Sequence, residues 1–190
     1  MIEALDAAQV PYLLGGALAA AAWGEPRSTL DVDLVIALEV ERVPAFSAEL
    51  ERRAILIPPD IMLDQLLEQR GDVAIVGYHV RAGFKVELFP LRPGDELRAA
   101  ALARRQRVEL DAPLGWIYVH SPEDLILYKL QYFNLRAQTK HPRDILSMLL
   151  ARGPMLDYTY LNTWISRLGL QLPWRRLLEQ ARRLGAQIPS

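Results

Sequence analysis

Asp31 and Asp33 stand two apart in the segment DVDLVI. In an extended chain, residues two apart share a face, so both carboxylates project together while Val32, Leu34 and Ile36 turn into the core. Two carboxylates side by side repel each other. The simplest remedy is a divalent cation, and hard oxygen ligands favour magnesium or manganese. Glu87 lies in a second alternating segment, where Lys85, Glu87 and Phe89 share one face and Phe84, Val86 and Leu88 the other. An edge residue facing water explains this acid as well as a functional role does. Lys129, flanked at helical spacing by Leu125, Ile126, Tyr132 and Phe133, raises an ammonium from an apolar face and calls for an anion. Asp144 is one candidate, a nucleotide phosphate another, and a side chain snorkelling to solvent is the bland alternative.

The acid pair needs a strand to present it, and the chain before it supplies a compact approach. Residues 2–9 read as a short amphipathic helix closed by Pro11, and residues 12–14 as a strand. Gly15-Gly16 then removes Cβ atoms where the backbone must turn, which is also where a phosphate would meet bare N–H groups. A tight strand-to-helix turn accounts for the pair equally well. Residues 17–23, mostly alanine, predict a helix that lies close to a sheet. After the strand at 31–38 come helices at 43–53 and 60–69, separated by Pro58-Pro59, and a hairpin from 73–80 to 84–91. A helix is expected over 94–107, followed by strand-like pieces at 108–110 and 116–119. Ser121-Pro122-Glu123-Asp124 is a helix start, with a hydroxyl at N-cap, proline at N1 and an acid at N3. That helix runs to about residue 136. Others follow from about 141, over 158–168 and over 173–184. The division expected is a mixed α/β part at 1–120 and a helical part at 121–190.

Composition narrows the field. The 190 residues carry a net charge of -1 with no cysteine, which excludes disulfides, thiolate zinc sites and cysteine nucleophiles. No global basic field announces nucleic acid. The apolar run at 10–23 is too short to span a bilayer, and Glu3 and Asp6 stand where a signal peptide would carry positive charge, so a cytoplasmic protein is expected. Charge is local instead: from residue 151 there are six arginines against Asp157 and Glu179. Arg175, Arg176, Arg182 and Arg183 gather opposite Trp174, Leu177, Leu178, Ala181 and Leu184. Such a stripe suits an RNA backbone or a plainly solvated helix face.

Gly15-Gly16-Ala17 at a helix start, Arg27-Ser28-Thr29-Leu30-Asp31-Val32-Asp33 on the next strand, and the later acid in Val86-Glu87-Leu88-Phe89 together resemble the DNA-polymerase-β-type nucleotidyltransferase superfamily. Its pattern is Gly-Gly or Gly-Ser, then Asp-x-Asp, then a third acid on a neighbouring strand. With the helix SPEDLILYKL and the following Pro142-Arg143-Asp144-Ile145, the layout is similar to the AbiEii-type stand-alone nucleotidyltransferases of toxin-antitoxin and phage-defence systems. The resemblance covers residues from about 10 to 150.

What it implies is an α/β (α+β) fold: a small mixed nucleotidyltransferase sheet with flanking helices, followed by a C-terminal helical bundle. It implies that Gly15, Gly16 and the Ala17 amide hold the triphosphate, that Arg27 and Thr29 contact nucleotide, and that Asp31, Asp33 and Glu87 bind Mg2+ or Mn2+. Lys129 and Asp144 match a helix lysine and aspartate of the toxin-like members' active site. Two positions depart from the pattern: Ala17 stands where serine is usual, and Glu87 is one methylene longer than the usual aspartate. The implied reaction moves a nucleoside monophosphate from a nucleoside triphosphate to an acceptor hydroxyl on RNA, tRNA or protein, with a cognate antitoxin as a further partner. A catalytically silent nucleotide-binding protein and an aminoglycoside-like small-molecule nucleotidyltransferase are the alternatives. Arg136 and His141 also spell the R-x4-H pattern of HEPN-type ribonucleases, across an expected helix break at Pro142.

Overall fold

The structure, a computed structural model, describes residues 1–68, 73–110, 115–136 and 140–189, with Leu110 and Arg136 described by backbone alone. Packing divides the chain into two units, Met1–Gly16 with Ser28–Val119, and Ala17–Arg27 with His120–Ser190.

The first unit holds a sheet of β1 (Tyr12–Leu14), β2 (Asp31–Ile36), β3 (Ile55–Leu56), β4 (Ile75–His79), β5 (Lys85–Pro90), β6 (Gln106–Leu110) and β7 (Gly115–Val119). The order across it is β3-β4-β5-β2-β1-β7-β6. β2 runs parallel to β5, β1 runs parallel to β7, and the other neighbours are antiparallel. Alternation of apolar and polar residues in β5 gives Val86 and Leu88 full burial while Lys85 and Glu87 stay partly open. In β2 burial does not alternate: Asp31, Val32 and Asp33 are all half-buried, so Val32, expected in the core, stays partly open. Leu34, Val35 and Ile36 are all buried, as expected of a central strand flanked on both sides. Helices α1 (Ile2–Ala7), α3 (Val43–Arg52), α4 (Pro59–Glu68) and α5 (Glu96–Ala103) complete this unit. Asp95 caps α5 by accepting from the Arg98 N–H, and buried Arg98 pairs with Asp95 and donates to the Pro90 carbonyl at the end of β5.

The sheet differs from expectation in two places. Ile55–Leu56 forms a two-residue edge strand on β4 that is too short to leave a pattern. Residues 106 and 107, expected in a helix, belong to β6. There Arg107 lies over the Trp116 ring and Arg105 over the Tyr118 ring, so pairing with β7 captures arginines that a helix would have left in water. Gln69, the expected last residue of the helix at 60–69, lies outside the described residues.

The second unit is helical. Beyond Gly16, α2 (Gly16–Trp23) belongs to it, with α6 (Pro122–Arg136), α7 (Lys140–Arg152), α8 (Tyr158–Arg167) and α9 (Gln171–Arg183). The α6 start is as read. Ser121 Oγ accepts from the Asp124 N–H at 3.1 Å and donates to the Asp124 carboxylate at 2.7 Å. The other Asp124 oxygen accepts from the Tyr160 hydroxyl, and Glu123 accepts from the Asp157 N–H, so the helix start also fixes the entry of α8. On α9, Trp174, Leu177 and Ala181 are buried and the four arginines are exposed. Leu184, expected on the apolar side, is 57 % exposed because the helix ends at Arg183 and the chain turns away through Gly185. Among the described residues, no helix is long and apolar enough to cross a membrane.

Candidate active site

In the first unit, the acids meet by register. Parallel pairing sets Asp31 opposite Lys85 and Asp33 opposite Glu87, so all four side chains leave the same face of β2 and β5. Lys85 Nζ lies 3.2 Å from Glu87 Oε1 and 3.5 Å from Asp31 Oδ1. Burial alone would lower the Lys85 pKa. The hydrogen bond and charge of Glu87, joined by Asp31, outweigh it and raise the value above that of an ordinary lysine.

The two glycines serve the acids directly. The Gly15 N–H donates to the Asp33 carbonyl at 2.7 Å, tying the turn to β2. Gly16 has a φ of +61°, and a Cβ built there would lie 1.8 Å from Asp33 Oδ2. The Asp33 carboxylate therefore fills the volume that any side chain at 16 would need, and glycine is required twice over at that position. Thr29 shapes the approach: its Oγ1 accepts from the Asp31 N–H at 3.1 Å, fixing the backbone where the acid strand begins.

In donor chemistry these residues fit a hard divalent cation: carboxylate oxygens on one face, with a hollow at Gly16 for one of them. As they stand, no three or more His, Cys, Asp or Glu side chains among the described residues group closely enough to hold a metal ion. The Lys85 ammonium already bonds two of the three acids. The alternation of β5 put Lys85 on this face in the sequence, but only the register shows that it reaches across to Asp31.

The helical unit gathers another charged group. Lys129 Nζ lies 2.6 Å from Asp144 Oδ2, with both side chains 5 % exposed. Arg27 completes the group, with Nε 3.2 Å from Asp144 Oδ1 and Nη2 3.4 Å from Oδ2. Of the anions considered for Lys129, the structure supplies Asp144; the Arg27 bond left no signal in the sequence because 117 residues separate the partners. Burial alone would raise the Asp144 pKa, but the Lys129 bond and then Arg27 hold it below the usual carboxylate range. The segment leading to Arg27 is fixed nearby. Trp23 Nε1 donates to the His120 carbonyl at 2.8 Å, the Glu25 N–H donates to Ser147 Oγ at 2.5 Å, and a Cβ on Gly24 would collide with that Oγ. Ala17 is buried in α2.

His141 stacks on Tyr132 with ring centroids 5.9 Å apart. Burial, then the charges of Lys129 and Lys140, depress its pKa to about 4. The imidazole is therefore neutral at physiological pH. Its expected companion in the R-x4-H pattern, the Arg136 side chain, lies outside the described residues.

No protein-family model matches the chain, and no curated protein matches it. Solved structures do. The solution structure of the antibiotic-resistance factor ANT(2″)-Ia matches with a TM-score of 0.57 and 17 % identity over 92 % of each chain. A crystal structure of ANT(2″)-Ia in complex with adenylyl-2″-tobramycin matches with a TM-score of 0.56 and 16 % identity, over 88 % of this chain and 91 % of that one. An antigenic nucleotidyltransferase-like protein from Paracoccidioides brasiliensis matches with a TM-score of 0.54 and 20 % identity, over 100 % of this chain and 91 % of that one. Together with the mixed seven-stranded sheet and the helical C-terminal part, these likenesses show a nucleotidyltransferase-like α/β fold.

Proposed function

We propose that the chain is a nucleotidyltransferase that moves a nucleoside monophosphate from a nucleoside triphosphate to an acceptor hydroxyl. One observation carries the reading: the β2–β5 register sets Asp31, Asp33 and Glu87 on a single face, with Gly16 hollowed out for Asp33. Fold likeness to nucleotidyltransferases supports it.

In this proposal Asp31 and Asp33 hold Mg2+ or Mn2+, with Glu87 completing the donor set. When bound, the metal supplies positive charge to the phosphate oxygens. The Gly15 N–H is engaged by Asp33, so the N–H groups of Gly16 and Ala17 are the donors assigned to the triphosphate; the first N–H groups of a helix have no partner within it. Glu87 accepts the proton of the acceptor hydroxyl as its oxygen bonds to the α-phosphorus. The bond from that phosphorus to the bridging oxygen breaks, and pyrophosphate leaves with the electron pair. Thr29 holds the Asp31 backbone in register for this work. Lys129 and Asp144 carry the active-site roles, and Arg27 the nucleotide contact, that the family resemblance implies; Lys129→Met tests the first by its effect on kcat.

The acceptor proposed is a hydroxyl of RNA, tRNA or protein, with a toxin-antitoxin or phage-defence role and a cognate antitoxin as partner. A small-molecule acceptor is the second reading, favoured by the likeness to a protein solved with adenylyl-2″-tobramycin. The test is incubation with each α-labelled triphosphate, Mg2+, and in turn bulk RNA, cell protein and an aminoglycoside panel. Label should move to one acceptor class and vanish with Asp33→Ala. No transfer to any of them would refute the enzyme; nucleotide binding without turnover would mark a silent relative.

A further inference from the structure

The face that carries the acids continues past Glu87. Directly opposed residues of paired strands share a face, and the registers run two rows across the sheet. One row is Asp33, Glu87, Val76; the other is Asp31, Lys85, Tyr78, Leu56. Beyond β5 this face is therefore apolar and aromatic, and it is open. Val76, Tyr78 and Leu56 are 40, 55 and 57 % exposed, while Ile55, Ile75 and Gly77 on the reverse face are buried. A Cβ on Gly77 would collide with Ile57 Cγ1 and the Leu56 carbonyl oxygen, so β3 is drawn close against β4 and the three side chains form one continuous shelf. Tyr78 is the diagonal neighbour of Glu87, about 7–8 Å away along the ladder.

Strand order and chemistry decide what such a shelf receives. The Gly16 N–H, assigned to the triphosphate, follows β1, and β2 and β5 stand between β1 and β4. A group on the shelf thus approaches Glu87 from the side opposite the triphosphate, as an attacking hydroxyl must when it lies in line with the leaving oxygen. Val76, Tyr78 and Leu56 bring no carboxylate, and the residue opposite Tyr78 is the cation Lys85, so a polycationic sugar finds no counter-charge there. A flat base finds a ring on which to stack.

Resting on the nucleotidyltransferase reading, we infer that Tyr78, with Val76 and Leu56, receives the terminal base of a single-stranded RNA acceptor and aims its ribose hydroxyl at Glu87. Tyr78 is then a specificity-determining residue for the acceptor. It takes no part in bond making.

The experiment reads binding and transfer separately. Fluorescence anisotropy follows a dye-labelled single-stranded ribo-oligonucleotide, and the same strand with an abasic residue at its 3′ end, with no triphosphate present. Wild type should bind the complete strand at least about five-fold more tightly than the abasic one. Tyr78→Ala should lose that difference and Tyr78→Phe, which keeps the ring, should retain it; far-ultraviolet circular dichroism confirms that both are folded. In transfer assays with the complete strand, Tyr78→Ala should raise the acceptor KM by a like factor and leave the triphosphate KM unchanged. A wild type indifferent to the terminal base, or a preference that survives Tyr78→Ala, would overturn the inference. So would a changed triphosphate KM, which gives the shelf to the donor, transfer to an aminoglycoside that depends on Tyr78, or a wild-type dimer that Tyr78→Ala dissociates. Transfer to protein or a small molecule by a wild type that does not distinguish the two strands would overturn it and leave the nucleotidyltransferase reading standing. A base preference dependent on Tyr78, with no transfer to any acceptor, would support the base site and refute the enzyme.

Discussion

Asp144 accepts from two cations, Lys129 and Arg27, and the asymmetry between those bonds makes a quantitative prediction. Lys129 and Asp144 are nearly inaccessible, whereas the Arg27 side chain is 28 % exposed. Asp144→Ala removes a carboxylate 2.6 Å from the nearly inaccessible Lys129 ammonium, at a cost of about 3–5 kcal/mol. Lys129→Met leaves Asp144 paired with Arg27 and puts a flexible apolar chain in the vacated space, at a cost of about 1–2 kcal/mol. Replacing both, as Lys129→Met with Asp144→Leu, leaves no buried charge from the pair and should cost within about 1 kcal/mol of Lys129→Met alone. Urea unfolding followed by tryptophan fluorescence is the assay, since Trp23, Trp164 and Trp174 all belong to the helical unit. A pH arm adds a sign test. The Asp144 pKa is depressed in the folded protein, so the stabilisation is fully present above the ordinary carboxyl value of 3.8 and is lost as pH falls below it through the folded value. Asp144→Asn should lack that acid limb. Equal costs for Asp144→Ala and Lys129→Met, or a double variant whose cost is the sum of the two singles, would refute the reasoning.

Gly16→Ala should abolish nucleotidyl transfer, because its Cβ displaces the Asp33 carboxylate and the residue must hold a φ of +61°; Mn2+ uptake measured in parallel should fall with it. His141, with Lys129, Lys140, Asp144 and Arg27 around it, titrates near 4 when folded against 6.5 when unfolded. The unfolded chain therefore binds the extra proton, and Tm should fall as pH drops from 6.5 toward 4. His141→Gln should flatten that limb. If the exposed α9 arginines track RNA, binding should weaken steeply with salt and Arg175→Ala with Arg176→Ala should reduce the salt slope; a flat response assigns them to a solvated face.

The elements that the sequence made legible are those with a local cause. The α6 cap was readable because Ser121 and Asp124 are three residues apart and bond each other. The β2 and β5 faces were readable because side chains alternate. What escaped depends on distant partners. Lys85 could be placed on the face of Glu87 but not against Asp31, since parallel register has no signature in either strand alone. Arg27 could be placed in a loop but not on Asp144, and Gln106-Arg107 looked helical until the β7 aromatics were set beside it. The glycine pair reads as a turn in sequence; that one of them makes room for an acid side chain is visible only in three dimensions.

The excursion at Ala17–Arg27 bears on how the chain acquires its structure during synthesis. Its bonds to His120, Asp144 and Ser147 close loops of 97, 117 and 122 residues, so the segment leaves the ribosome long before its partners exist. The sheet's own first residues flank it on either side, yet it can settle only after α7 is complete, which places its docking among the last events of folding. A chain cut near residue 120 would keep every strand and strand that segment without its partners, with the alanine face of α2 and Trp23 left for water or for one another. Such a fragment should aggregate where the full chain does not, and supplying residues 120–190 as a separate polypeptide should rescue it.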